Sequence, residues 1–322
     1  MIAVESVSKI YQGRTVVSDV SFTVAAGETL ILLGTSGSGK TTLLKMINRL
    51  VDPSAGSIRV DGELINRGKP ELLRRKMGYV IQQSGLFPHY TVAENIGLVP
   101  SLLGWPAEKI AQRVRELIKV VGLSEDQQTR YPHELSGGQQ QRVGVARALA
   151  ADPPVILMDE PFGALDPITK QQMAHEFASL GILREKTVVM VTHDVLEAFA
   201  LGDHICLLDA GKVQQIGTPK ELLFQPENEF VRSFFHTQQL RLALEVVTVQ
   251  DIIRLHQQEL VSNMKVQEAL EVSEAASVFD VLDQLEESKK TKVSVKTGEE
   301  GRAYTILDRD QLLRWFFTYQ YR

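Results

Sequence analysis

The residues Gly34-Thr35-Ser36-Gly37-Ser38-Gly39-Lys40-Thr41-Thr42 fit the pattern G-x-x-x-x-G-K-[ST]. The chemistry of that pattern is phosphate binding. Glycines let backbone N–H groups turn inward without a Cβ clash. The N-terminus of a following helix adds partial positive charge where phosphates sit. Lys40 then reaches the β- and γ-phosphates, and Thr41 ligates Mg²⁺. A Gly/Ser-rich turn without a ligand would carry similar letters, but its surroundings would differ. Here the apolar run Thr29-Leu30-Ile31-Leu32-Leu33 precedes the loop as a buried strand, and Leu43, Leu44, Met46 and Ile47 follow it at helical spacing.

A second group of reactive residues ends another apolar run, Val155-Ile156-Leu157-Met158-Asp159-Glu160. A run apolar on both faces fits a central parallel strand. Carboxylates at its C-terminal end fall in the crevice where α/β sheets bind ligands. Neighbouring side chains on a strand point opposite ways, which predicts different roles for the two acids. Asp159 suits Mg²⁺, directly or through water, and Glu160 suits polarising an attacking water. His193 directly follows the apolar run Thr187 to Thr192, so it shares the strand-end position of the acids and suits a γ-phosphate contact. Ser136-Gly137-Gly138-Gln139 reads as a polar cap opening a helix whose buried face holds Val143, Ala146 and Leu149.

The elements that must position these residues are legible in outline. Ile2, Val4 and Val7, then Val16, Val17, Val20, Phe22 and Val24, read as strands turning at Gln12-Gly13, and Tyr11 ends the first of them. Turns follow at Ala26-Gly27, Asp52 to Ser57 and Asp61-Gly62, and Met77 to Gln83 is a further strand. Residues from about 86 to 152 read as a helical insertion, with Ile110, Val114, Leu117, Ile118 and Val121 on one helix face stopped by Gly122. Pro167 begins a helix with Met173, Phe177 and Leu180 at helical spacing. Ile205 to Ile216 reads as a hairpin turning at Ala210-Gly211, and Pro219 takes the first position of a helix.

From about Gln238 the composition shifts to Gln, Glu, Leu and Val, which marks a second, smaller domain over 237–322. Val278, Val281, Leu282 and Leu285 give it an amphipathic helix, Lys292 to Lys296 and Ala303 to Leu307 give two strands, and Asp310 to Phe317 a last helix. The charge run Glu286 to Lys292 reads as a solvated turn. Composition is that of a globular chain, with 43% hydrophobic and 23% charged residues. The formal net charge of -5 gives no basic excess for nucleic acid. The lone Cys206 cannot form an intrachain disulfide and suits a reducing compartment. No basic-then-apolar leader opens the sequence, and no uncharged apolar run reaches the length of a membrane span.

The phosphate loop, Gln82 after a strand, Leu135 to Gln139, Asp159-Glu160, Ala164-Leu165-Asp166 and His193 occur in the order of the ATP-binding cassette (ABC) ATPases. The sequence resembles that family over residues 1 to about 236. The resemblance implies an α/β fold, a RecA-like P-loop core with an antiparallel β subdomain and a helical subdomain. It implies ATP and Mg²⁺ as cofactors, with Thr41, Gln82 and Asp159 at the metal. Tyr11 becomes the adenine-stacking aromatic, and Gln82 also couples to the membrane partner. Ser136, Gly138 and Gln139 become contacts to ATP bound by a second copy, Asp166 the dimer-contact aspartate, and Glu160, Gln82 and His193 the catalytic set.

Tyr79 to Gln83, Gly85 to His89, Arg130 to Leu135 and Asp159 to Thr169 look more narrowly like the ATPases of quaternary ammonium osmoprotectant importers, with glycine betaine, carnitine or choline as cargo. Ergothioneine, itself a trimethylammonium betaine, is a cargo that related systems suggest. Such an ATPase works with permease subunits and a substrate-binding domain or protein, on the cytoplasmic face of the membrane. Residues 264 to 317 resemble one small α+β repeat of the cystathionine-β-synthase (CBS) type. The expectation is then that Val278, Val281, Leu282, Leu285, Leu312, Leu313, Trp315 and Phe316 form an apolar face left for a second copy to cover. An ABC motor for another cargo and a soluble ATP-driven switch are the alternative functions.

Overall fold

The computed structural model describes residues 1–82, 85–163, 165–166, 169–170, 173–174, 176–177, 185–256, 269–297 and 303–320. Among the sequence expectations, Gln83, Ala164, Pro167, Leu180 and residues 264–268 lie outside them. The chain divides into two compact units, Met1–Thr218 and Pro219–Arg322.

In chain order the first unit runs β1 (Ile2–Tyr11), β2 (Arg14–Val24), β3 (Thr29–Gly34), α1 (Lys40–Ile47), β4 (Ala55–Val60), β5 (Glu63–Leu64), α2 (Pro70–Arg74) and β6 (Met77–Val80). It continues with α3 (Val92–Leu102), α4 (Ala107–Val120), α5 (Gly137–Leu149), β7 (Val155–Asp159), β8 (Thr187–Val191), α6 (Val195–Leu201), β9 (His204–Asp209) and β10 (Lys212–Gly217). Helical residues at 169–170, 173–174 and 176–177 lie between β7 and β8. One sheet is antiparallel, in the order β2-β1-β4-β5. The other has the order β10-β9-β3-β8-β7-β6, parallel except for the edge pair β10-β9.

The turn chemistry explains the hairpins. Gln12-Gly13, Asp61-Gly62 and Ala210-Gly211 each hold two consecutive residues at positive φ, the backbone that a tight two-residue hairpin needs. The apolar runs read as central strands are buried along most of their length, with every residue of β7 and β8 buried. Leu30, Leu32, Leu157, Val189, Val191 and Leu208 from the parallel sheet share one core with Leu43, Leu44, Met46 and Ile47 of α1 and with Ile2, Val4, Val7 and Phe22 of the antiparallel sheet. Because α1 is packed into that core, its N-terminus is held rigidly at the end of β3. Cys206 is part of the same core, and burial pushes its thiol up to about 12, so it stays an unreactive thiol.

The helical insertion forms as its spacing predicts. Val114, Leu117 and Ile118 are the buried face of α4, and Gly122 closes it at φ 66°. The second unit comprises α7 (Pro219–Phe224), α8 (Glu229–His236), α9 (Gln239–Val246), α10 (Val249–Leu255), β11 (Leu270–Val272), α11 (Val278–Ser288), β12 (Lys292–Thr297), β13 (Ala303–Asp308) and α12 (Arg309–Gln320). The unit boundary at Thr218/Pro219 precedes the composition change at Gln238, because α7 packs against both α8 and α9. The sheet order is β11-β12-β13, with β11 parallel and β13 antiparallel to β12.

One expectation is overturned in this unit. Val278, Val281, Leu285, Leu312, Trp315 and Phe316 are buried within the chain and Leu282 and Leu313 half-buried, so among the described residues these side chains leave no wide apolar face for a second copy. Helix α9 packs on α11 and α10 on α12. The His256 ring stacks on Trp315 at 4.4 Å and 5°. Composition showed residues 239–255 only as a Gln- and Leu-rich stretch. Folded, they are two amphipathic helices that bury Leu242, Ala243, Val249, Ile252 and Ile253 and cover the face.

Candidate functional site

The phosphate loop joins the buried strand β3 to the start of α1. Gly39 is the residue before the helix, at φ 97°, and no side chain caps it. The first N–H groups of α1 therefore remain for a ligand, as an anion site requires. Two glycines are fixed by the protein's own backbone. A Cβ on Gly34 would stand 1.9 Å from the Leu208 carbonyl oxygen, and one on Gly39 2.7 Å from that of Val16. The Lys40 ammonium folds back over the loop and donates to the carbonyls of Gly34 at 2.9 Å and Thr35 at 2.8 Å. Burial pushes that ammonium below its ordinary value, against the pull of Glu160 and Asp159.

A cavity of about 570 Å³ opens over the loop, lined by Val16, Ser36, Gly37, Ser38, Gly39, Lys40, Thr41, Thr42, Gln82, Glu160 and His193. At its floor the Thr41 hydroxyl donates to Asp159 Oδ1 at 2.8 Å. Burial raises the Asp159 carboxyl above its ordinary value, and the Thr41 hydrogen bond opposes the rise. A hydroxyl and a carboxylate in contact, with the Gln82 amide beside the cavity, form the hard oxygen donor set that Mg²⁺ prefers. The residues present thus fit the ion.

Strand alternation alone would send one of the two acids away from the cleft. The structure differs, because Glu160 leaves the strand at φ 46°. Its N–H stays bound to the Val191 carbonyl at 2.9 Å while its side chain turns into the cavity. Glu160 Oε2 accepts from Gln82 Nε2 at 2.9 Å and lies 3.3 Å from His193 Nδ1. The two acids keep separate partners: Glu160 lines the cavity with Gln82 and His193, while Asp159 lies outside the lining and is held by Thr41, which is part of it.

Ser136, Gly138, Gln139, Asp166 and Tyr11 stand outside the cavity lining. Ser136 caps α5: its hydroxyl accepts from Gln139 N at 3.3 Å, and Gln139 Oε1 accepts from Ser136 N at 3.0 Å. The Gln139 side chain is thus engaged in the cap, while Ser136 and Gly137 are exposed. Asp166 Oδ1 accepts from Thr169 N at 3.1 Å. Tyr11 is 42% exposed at the β1–β2 turn, with the Lys9 ammonium 4.9 Å over its ring.

Comparison with known proteins decides the family. A family profile described as ABC transporter matches residues 17–163. The glycine betaine uptake system ATP-binding protein of Escherichia coli is 48% identical over 87% of this chain and 90% of its own length. The chain belongs to the ABC transporter ATP-binding proteins. Among other ABC relatives, the carnitine transport ATP-binding protein of Listeria monocytogenes is 42% identical over 98% of this chain and 83% of its own. The glycine betaine/carnitine/choline transport ATP-binding protein of Bacillus subtilis is 55% identical, and the match spans 63% of that relative's length. A solved dimeric ABC cassette in a post-hydrolysis state with ADP and Pi superposes with a TM-score of 0.61 at 36% identity, covering 68% of this chain and 98% of that one.

The sequence reading missed two groups in the ABC cassette. Asn95, fully buried, accepts from Phe87 N at 2.8 Å and donates to the carbonyls of Phe87, Tyr90 and Thr91 at 3.0–3.1 Å, shaping the loop after Gln82. A polar residue within the apolar stretch of α3 was the available signal. The second group, Lys170 with Asp194 and Glu197, joins residues far apart in sequence, and spacing gives no sign of it.

Proposed function

We propose that this chain is the ATP-hydrolysing subunit of an ABC importer for quaternary ammonium osmoprotectants of the glycine betaine, carnitine and choline type. The observation that carries the reading is the convergence of Glu160, His193 and Gln82 with the Thr41–Asp159 pair on the phosphate-loop cavity. Lys40 and the free N–H groups of α1 hold the phosphates, and Thr41, Asp159 and Gln82 hold Mg²⁺. The ion, when bound, supplies charge neutralisation between phosphates. Glu160 takes up proton charge from a water aimed at the γ-phosphate. His193 orients the Glu160 carboxylate and contacts the γ-phosphate. Tyr11 stacks on adenine. Ser136 and Gly138 reach ATP held by a second copy in a nucleotide-sandwich dimer, with Gln139 supporting that start of α5 and Asp166 at the contact.

The cargo reading rests on relatives 48–55% identical that carry glycine betaine, choline or carnitine in their names. Among the described residues no helix is long and apolar enough to cross a membrane. Transport then requires permease subunits, and a substrate-binding domain or protein, with this chain held at the cytoplasmic face. Residues 237–322 would form the regulatory part, and the β-α-β-β-α order of β11, α11, β12, β13 and α12 supports one CBS-like repeat over about 264–317.

The test is ATP hydrolysis by the purified full chain with Mg²⁺, alongside Glu160→Gln. The variant should keep ATP binding and lose about 10²–10⁴ in rate. Parent-rate hydrolysis by the variant would remove Glu160 from its role. Uptake of labelled glycine betaine, carnitine and choline by cells with and without the chain tests the cargo; identical uptake of all three would remove that assignment.

A further inference from the structure

The cavity accounts for one side of His193 and leaves open what holds the other. His193 lies between Thr192 and Asp194, and both are tied into one buried cluster. The Thr192 hydroxyl donates to Glu197 Oε2 and accepts from Asp194 N at 3.0 Å. Asp194 caps α6, its Oδ1 accepting from Leu196 N at 2.9 Å and Glu197 N at 3.3 Å. Among the described residues, the cation that pairs with this cluster comes from elsewhere in the chain. Lys170 Nζ lies 3.1 Å from Asp194 Oδ2 and 3.0 Å from Glu197 Oε1. The Lys170 side chain is 12% exposed and that of Glu197 4%, so water does little to screen the contact.

Lys170 belongs to the helical turn that Asp166 opens. Its N–H donates to the Asp166 carbonyl at 2.9 Å, and Asp166 Oδ1 accepts from Thr169 N at 3.1 Å. A continuous set of contacts therefore runs from Asp166 through Lys170 to Asp194 and Glu197, then through Thr192 to His193, and from His193 to Glu160 at 3.3 Å. Two carboxylates that share one ammonium fix its position along both helices, which a single pair would not.

We infer that Lys170 is a positioning residue that links Asp166 to His193. The inference rests on the proposed ATPase reading, in which Asp166 meets the second copy and His193 contacts the γ-phosphate. Lys170 is not among the residues that line the cavity. It sets the register of the Thr192-His193-Asp194 segment, so that closure against a second copy at Asp166 holds His193 against Glu160. Ion pairs of this kind also serve stability alone, and stability alone would leave turnover untouched.

The experiment compares Lys170→Met and Lys170→Arg in the full chain. In Lys170→Met, kcat should fall about 10- to 100-fold, the range for a misplaced catalytic group, with KM for ATP unchanged. Lys170→Arg should recover most of that loss, because a guanidinium can bridge both carboxylates. A Lys170→Met chain that folds and turns over at the parent kcat overturns the inference, as does a matched rise in KM without a fall in kcat. Should Lys170→Met fail to fold, Glu197→Gln decides, since it keeps the shape and weakens the ion pair. It should lower kcat at constant KM, and a parent kcat there is equally fatal. A parent chain that binds ATP and never hydrolyses it would overturn the functional reading itself, an outcome distinct from an active parent with an active variant.

Discussion

The first unit contains two helix starts rich in glycine and serine, and they treat their backbone N–H groups in opposite ways. At α1 the residue before the helix is Gly39, which offers no side chain, and the N–H groups face a cavity lined by Lys40, Glu160 and His193. At α5 it is Ser136, whose capping box with Gln139 satisfies the N–H groups of both residues from within the chain. One start is built to receive an anion unaided. The other commits the Ser136 and Gln139 N–H groups to its own cap and lies exposed, outside the lining of the cavity. The same letters, glycine and serine at a helix start, thus describe one start open to a cavity and one closed by its own cap; the proposed function makes them the two halves of a site shared with a second copy.

The strongest way to break the contrast is at Lys40. Lys40→Ala should cost about 2–5 kcal/mol of ATP binding, since it leaves phosphate charge unpaired, and titration calorimetry on the isolated chain measures it. Ser136→Arg should leave that same binding intact, and equal losses in the two variants would erase the difference. A smaller effect is expected at Gly39, where φ is 97° and a Cβ would meet the Val16 carbonyl at 2.7 Å. Gly39→Ala should cost about 1–3 kcal/mol of stability through backbone strain, visible as a lower thermal midpoint; an unchanged midpoint would mean the loop has freedom the geometry denies it.

The smallest effect comes from a third helix start, in the second unit. Thr248 caps α10 in a box with Asp251, which also pairs with Lys220. Burial alone would raise the Asp251 carboxyl, but Lys220 and the Thr248 hydrogen bonds outweigh it and hold it below 3.8. Its stabilisation is therefore fully present above 3.8 and is lost as pH falls through the lowered folded value. Asp251→Asn should flatten that part of the midpoint-versus-pH curve by about 1 kcal/mol or less, since the pair is partly solvated. A curve parallel to the parent's would show that the cap contributes nothing.

What the sequence made legible follows from locality. The phosphate loop, the strand-end acids and the three tight hairpins depend on neighbouring residues, and they stand where the spacing places them. The left-handed turn at Glu160 was not legible, because alternation assumes that the strand continues one residue further. Coverage of the apolar face in the second unit was not legible either, since α9 and α10 have mixed composition and reveal their apolar sides only when packed on α11 and α12. The Lys170 cluster depends on tertiary contact between two helices, and neither period nor motif encodes it.

The proposed function requires two half-sites on this chain that only a second copy unites. The direct measurement is the molecular mass of the full chain by light scattering, with and without saturating ATP, in Glu160→Gln and in Glu160→Gln combined with Ser136→Arg. ATP should double the mass of the single variant, and the double variant should bind ATP with the same affinity yet keep the mass of one chain. A Glu160→Gln chain that stays single with ATP bound, or a double variant that doubles in mass as readily, would contradict it.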